Sequence, residues 1–218
     1  MYISWAIFVE GQNDVDYFSV LLPRVIESIV MTTTGPVAVI PESPSAVFGI
    51  RNRDFESACS SICEAKESFH LLFVHSDTGG RALEAQIALR TTALCQMLEA
   101  RCNIPNESCI CVTPRHETEA WGLADQNAIR LAFGLRDNFA FSELPDNPAD
   151  VELIVDPKLT SSQITDRLSF GRRNSNRHFP YASIAQHQDL STLRRLPSFM
   201  DFEIRLRRSL THLGYPNA

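Results

Sequence analysis

Over the first two thirds of the chain, short apolar runs alternate with longer stretches whose apolar positions recur at helical spacing. Residues 2–9 are apolar almost without a break and close on Glu10 and Gly11, the pattern of a strand covered on both faces. A helix is predicted over residues 13–30, with Asn13 or Asp14 at its cap and Pro23 bending it. A second, very short apolar run occupies 37–40 between Pro36 and Pro41. Residues 53–68 read as a helix with Phe55, Ala58, Cys59, Ile62 and Cys63 along one side. Residues 69–75 read as a strand that ends at Asp77. After Gly79-Gly80, residues 81–102 have helix-forming composition throughout, and 108–114 read as a further strand. Helix-length segments between short apolar runs are βαβ units, so the pattern predicts an α/β fold whose mostly parallel sheet is flanked by helices. Past Pro145 the strand signal fades, and residues 159–170 and 198–213 read as helices separated by an irregular stretch. The expected organisation is an α/β domain over 1–145 with a helical extension over 146–218 packed on it. There is no internal repeat or low-complexity tract.

Composition narrows the class. At 218 residues the chain can bury a full core without disulfides or metals, and its 44% hydrophobic and 21% charged content is that of an ordinary globular protein. The apolar block 3–9 is too short to span a bilayer and has neither the basic flank nor the cleavage site of a signal peptide. A cytoplasmic protein without membrane contact is expected. None of the six cysteines stands in a CxxC pair, so reduced core thiols are expected. A zinc site from Cys59, Cys63, Cys109 and Cys111 is disfavoured because no histidine follows at ligand spacing. The net charge of −6 conceals an asymmetry: residues 1–150 carry 20 acids and 10 basic residues, whereas 151–218 carry 6 acids and 10 basic residues. Solvated surface of both signs explains this, and so does a carboxylate-lined site beside a surface that attracts polyanions.

The positions of the acids favour the second explanation. In a parallel sheet the carboxyl ends of all strands share one edge, and ligands bind outside it. The first strand ends on Glu10-Gly11, a later one on His75-Ser76-Asp77, and the last leads into Glu117, Glu119 and Asp125. Acids converging on one rim repel each other unless a cation or proton compensates. Oxygen ligands suit Mg2+ or Mn2+, which could polarise a phosphodiester and stabilise its leaving oxygen. The expectation is that Glu10, Asp77 and the acids Glu117, Glu119 and Asp125 gather around one cation, with Glu10 also able to serve as general acid or base. Each residue has a plainer reading. Asp14, Asp16, Glu117 and Glu119 suit the first turn of a helix, and His75 and His116 suit packing or hydrogen-bonding roles.

These residues resemble the Toprim superfamily, the catalytic fold of topoisomerases, bacterial primases and several nucleases. Its pattern is a glutamate and glycine after the first strand, here Glu10-Gly11 with Asp14 following, then an Asp-x-Asp after a later strand. More closely, the chain resembles the Toprim-like family filed as domain of unknown function 4276. The pieces "VEGQNDVDYF", "HSDTGG", "ETEAWGLAD", "DPKLT" and "LPSFMDFEIRL" follow in that family's order over nearly the whole length. The resemblance implies a Toprim/Rossmann-like fold, Glu10 as the superfamily glutamate and Asp77 as one acid of the Asp-x-Asp pair. The partner acid is missing, with His75 or Gly79 in its place depending on alignment. Weaker metal binding, replacement of the ligand, and loss of catalysis all remain open; replacement by Glu119 is favoured. The resemblance also draws attention to Lys158, whose ammonium could neutralise phosphate charge, although exposure to solvent is the default for a lysine.

The segment 169–181 combines Arg172, Arg173, Arg177 and His178 with Phe170, Phe179 and Tyr181. Basic groups interleaved with rings suit phosphates and bases of a single strand; a solvated loop with aromatic anchors explains the same letters. The leading expectation is a Mg2+- or Mn2+-dependent nuclease using Glu10, Asp77, Glu119 and Lys158. Its substrate would be nucleic acid, DNA in preference to RNA. The resemblance implies a setting in bacterial defence against phage and an ATPase partner. The alternatives are a catalytically inactive binding or regulatory subunit and a non-nuclease phosphoryl-transfer enzyme.

Overall fold

Strands whose residues are apolar on both sides need cover on both faces, and the chain supplies it. The computed structural model describes residues 1–49, 55–79, 91–169 and 178–216. Strands β1 (Trp5–Phe8), β2 (Ala46–Phe48), β3 (Leu71–His75) and β4 (Cys109–Val112) form one sheet in the order β2-β1-β3-β4. Every pairing is parallel. The α-helices among the described residues are α1 (Gln12–Val30), α2 (Phe55–Glu64), α3 (Ala93–Cys102), α4 (Thr118–Leu123), α5 (Gln126–Phe133), α6 (Pro157–Ser169), α7 (Tyr181–His187), α8 (Leu190–Leu193) and α9 (Pro197–His212). The period-two alternation of strand side chains divides the interior. Ile7, Leu71, Phe73, Ile110 and Val112 face a large core with α1 and the carboxyl-terminal helices, while Ala6, Phe8, Leu72, Val74, Cys109 and Cys111 face a smaller core with α2 and α3.

Several expectations need adjustment. The run 37–40 contributes only an isolated bridge between Tyr2 and Val39, and the second strand lies further on, at Ala46–Phe48. Proline at 41 and 44 interrupts this edge, and β2 is only half-buried, so it carries no strong apolar signature. Pro23 sits inside α1, which continues to Val30. The start of the predicted helix 53–68 and the first part of 81–102 lie outside the described residues. From the described part of 146–218, Ile164, Ile184, Leu196, Phe199, Phe202 and Leu206 lie in the large core with α1 and the sheet.

The cysteines are a correction. Instead of six reduced thiols there are disulfides between Cys63 and Cys102 and between Cys95 and Cys109, while Cys59 and Cys111 are free and buried. All six lie in the smaller core or pack against it. Tertiary packing of α2, α3 and β4 brings the partners together across separations of 39 and 14 residues, which no sequence spacing displays. Among the described residues, no helix is long and apolar enough to cross a membrane.

Candidate metal centre

In the order β2-β1-β3-β4 the chain passes from β1 outward to β2 and then back across to β3. The crevice outside the carboxyl ends of β1 and β3 is therefore the topological switch point, where doubly wound sheets bind ligands. The register sets Phe8 beside Val74 and His75 beside Val112, so the residues that follow β1, β3 and β4 emerge together.

Asp14 arrives on the first turn of α1. Its Oδ2 accepts the Gly11 N–H at 2.9 Å and its Oδ1 accepts the Thr118 hydroxyl at 2.7 Å. Thr118 opens α4, the helix after β4. His75, the last residue of β3, is wholly buried, and its ring packs against Phe18 with centroids 4.8 Å apart. Its Nδ1 lies 3.0 Å from the Val112 carbonyl. A carbonyl can only accept, so Nδ1 carries the proton of that bond and Nε2 is the atom turned to the site. Nε2 stands 3.5 Å from Asp14 Oδ1, 3.2 Å from Asp77 Oδ1 and 3.3 Å from the Thr118 hydroxyl. Asp77 Oδ1 is itself buried and has no hydrogen bond of acceptable geometry.

Asp14, His75 and Asp77 can each turn one donor atom into a space where all three lie within 4.8 Å of one another. This group could hold a metal ion, and Asp77 Oδ1, buried with only His75 Nε2 beside it at 3.2 Å, fits that use. Ligands bound at about 2.1 Å stand about 3.0 Å apart in an octahedron and about 3.4 Å apart in a tetrahedron; the Nε2–Asp77 distance of 3.2 Å falls between these and the Nε2–Asp14 distance of 3.5 Å just beyond them. Asp77 keeps 36% of its side chain exposed, so the group opens to solvent on one side.

Electrostatics bind the three together. Burial opposes charge on the His75 ring, but Asp14 and Asp77 overcome it and push its pKa up to about 10. Burial likewise works against the Asp14 carboxylate, and His75, Thr118 and Gly11 outweigh it to hold its pKa below the ordinary value. Both shifts favour charge on the ring and on the Asp14 carboxyl.

The other expected site residues take varied places. Glu10, Asp77 and Glu119 do not form the expected trio; the group of three among the described residues contains Asp77 with Asp14 and His75 instead. Glu10 Oε1 accepts the Ser76 hydroxyl at 2.9 Å. Glu119 is buried on α4, and its Oε1 accepts the Tyr181 hydroxyl at 2.5 Å. Asp125 caps α5: Oδ1 accepts the N–H groups of Asn127 and Ala128, and Oδ2 accepts that of Asp189. Both oxygens thus accept backbone N–H groups. Glu117 precedes α4, and its Oε2 is buried without a hydrogen bond. Burial, then the charges of Glu119 and Asp77, raise its pKa to about 7 despite the opposing charge of Lys158. Lys158, on the first turn of α6, is exposed. His116 joins the loops after β3 and β4 through its backbone: its carbonyl accepts the N–H groups of Thr78 and Gly79, each at 2.9 Å. Arg172, Arg173 and Arg177 lie outside the described residues, and His178 is exposed.

Sequence reading treated Asp14 as a helix-terminal acid and His75 as a packing residue. The signal for His75 was its place in His-x-Asp, at the position of the missing Asp-x-Asp acid. The signal for Asp14 was its place after Glu10-Gly11 in the pattern the chain resembles, but an acid on the third residue of a helix is also the ordinary capping pattern. Comparison of the chain with protein-family models, with curated proteins and with solved structures gave no match.

Proposed function

We propose that the protein cleaves nucleic-acid phosphodiesters with the help of a divalent cation, in the manner of a Toprim nuclease. The observation that carries this reading is the Asp14, His75 and Asp77 group at the β1/β3 switch point. A divalent cation bound there would polarise the phosphodiester and offset charge on the leaving oxygen. Asp14, His75 and Asp77 hold the cation, with Asp77 on the solvent side. Glu117, close to half-protonated at neutral pH, can take or give a proton at the rim. Lys158 favours an approaching phosphate and opposes the rise in the Glu117 pKa. Glu10 and Glu119 line the same edge, held by Ser76 and Tyr181. Contact with the polymer through Arg172, Arg173, Arg177 and His178, a defence setting and an ATPase partner complete the proposal on grounds of sequence and resemblance.

Incubation with plasmid, single-stranded DNA and RNA, in magnesium and in manganese, tests it. Cleavage should require the cation, vanish in Asp77→Asn and fall roughly 10²- to 10⁴-fold in Glu117→Gln. Cleavage unchanged in both variants would remove the assignment. A second reading, a non-catalytic binding module, is favoured by one specific feature: His75 Nε2 already pairs with Asp14 and Asp77, at 3.5 and 3.2 Å, without a metal. Under that reading nucleic acid or a protein binds equally well with and without the cation, and no substrate is cut.

A further inference from the structure

We propose that the centre selects a divalent transition ion of the iron, cobalt and zinc class over magnesium, and that His75 is the residue that sets this preference. The inference rests on the reading of Asp14, His75 and Asp77 as a cation site but does not depend on which reaction follows.

The donor set is one imidazole nitrogen and two carboxylate oxygens. Magnesium favours oxygen ligands, keeps several waters and gains little from imidazole, whereas iron, cobalt and zinc accept imidazole readily. The ring is also set up as a ligand in every respect the geometry can display. Nδ1–H is pinned to the Val112 carbonyl on the neighbouring strand, 3.0 Å away. A second hydrogen bond from the far ring nitrogen to a backbone carbonyl is the usual support of a metal-ligating histidine, since it fixes both tautomer and orientation. Complete burial against Phe18 prevents the ring from turning away. Asp14 is fixed from both sides by the Gly11 N–H and the Thr118 hydroxyl. Two of the three donors are therefore preorganised by rigid elements, β3 and α1, and the buried Asp77 Oδ1 without a hydrogen bond completes the set. A carboxylate at position 75 would make the donor set all oxygen and remove the reason for the preference.

The test uses the full chain stripped of metal with a chelator, then titrated separately with Mg2+, Mn2+, Co2+ and Zn2+. Melting temperature and calorimetric affinity are followed for each ion, and visible absorption for Co2+. The expected order of affinity is magnesium weakest, manganese intermediate, and cobalt and zinc at least about tenfold tighter than magnesium. His75→Asp should move the preference toward magnesium and manganese by a similar factor, and His75→Gln should lose the cobalt absorption. The wild-type series alone is decisive where a variant fails to fold. Asp77→Asn, at the partly exposed edge of the group, gives a second check by weakening every ion together. Magnesium binding as tightly as cobalt, or a preference unchanged in folded His75→Asp, overturns the selectivity while leaving a cation site in place. Absence of any saturable binding overturns the selectivity and the cation-dependent function together.

Discussion

At His75 the ring proton and a metal ion compete for one nitrogen. In chelator-treated protein the folded-state pKa is about 10, above the ordinary histidine value of about 6.5. The stabilisation from the raised pKa is thus fully present below about pH 6.5 and is lost as pH rises through about 10. Asp14 has the opposite sign: its depressed pKa contributes stability at neutral pH that is lost as pH falls into the acid range. Melting temperatures of the metal-free protein should therefore decline from neutral to alkaline pH more steeply than those of His75→Gln, because other alkaline titrations are common to both. A metal on Nε2 must displace the proton, so saturating the site at pH 7 should release about one proton, measurable in weakly buffered solution. Equal slopes for the two proteins would mean that the ring is not held charged. The letters around position 75 show only Asp77; the larger contribution to the shift comes from an aspartate 61 places earlier.

At the level of elements, the helix starts divide the acids between chemistry and architecture. Asp125 and Asp14 both open helices, but Asp125 gives its oxygens to three backbone N–H groups, whereas Asp14 Oδ1 meets only side chains of the site. Asp125→Ala should cost about 1–2 kcal/mol in denaturant unfolding and leave cation affinity unchanged. Reduced affinity in that variant would return Asp125 to the site. The glycines are divided in the same way. Gly11, expected to allow close backbone approach, is extended at φ −151, and an added Cβ would meet only Asp14 Oδ2 at 3.6 Å. Gly11→Ala should therefore cost no more than about 1 kcal/mol. Gly49 is the demanding one: its φ is +96, and a Cβ would lie 2.5 Å from the Val9 carbonyl. Gly49→Ala should destabilise by roughly 1–3 kcal/mol or more, and equal stability of the two variants would contradict this. Local sequence shows where a helix starts; it does not show what lies opposite the first turn.

For the whole molecule, the sheet separates the cation group from the disulfides. His75 has the same strand parity as Leu71 and Phe73, which face the large core, while the disulfides lie with the smaller core on the other side. Reducing Cys95–Cys109 should cost about 3 kcal/mol and Cys63–Cys102 about 4 kcal/mol by loss of loop constraint. Reduced protein should melt at a lower temperature yet bind the cation as before, and a parallel loss of affinity would show that the two faces are coupled. The sequence by itself determined the α/β class, three of the four strands, the long first helix and the edge at which acids gather, because periodicity and strand ends are local properties of the chain. Only the tertiary structure decided which acids meet. Strand order, register and helix packing join residues 14, 75, 77 and 118 across the chain, divert Asp125 to a cap and Glu119 to Tyr181, and pair cysteines 14 and 39 residues apart. Such pairings are fixed by the burial of both sheet faces at once, a constraint that no single stretch of sequence contains.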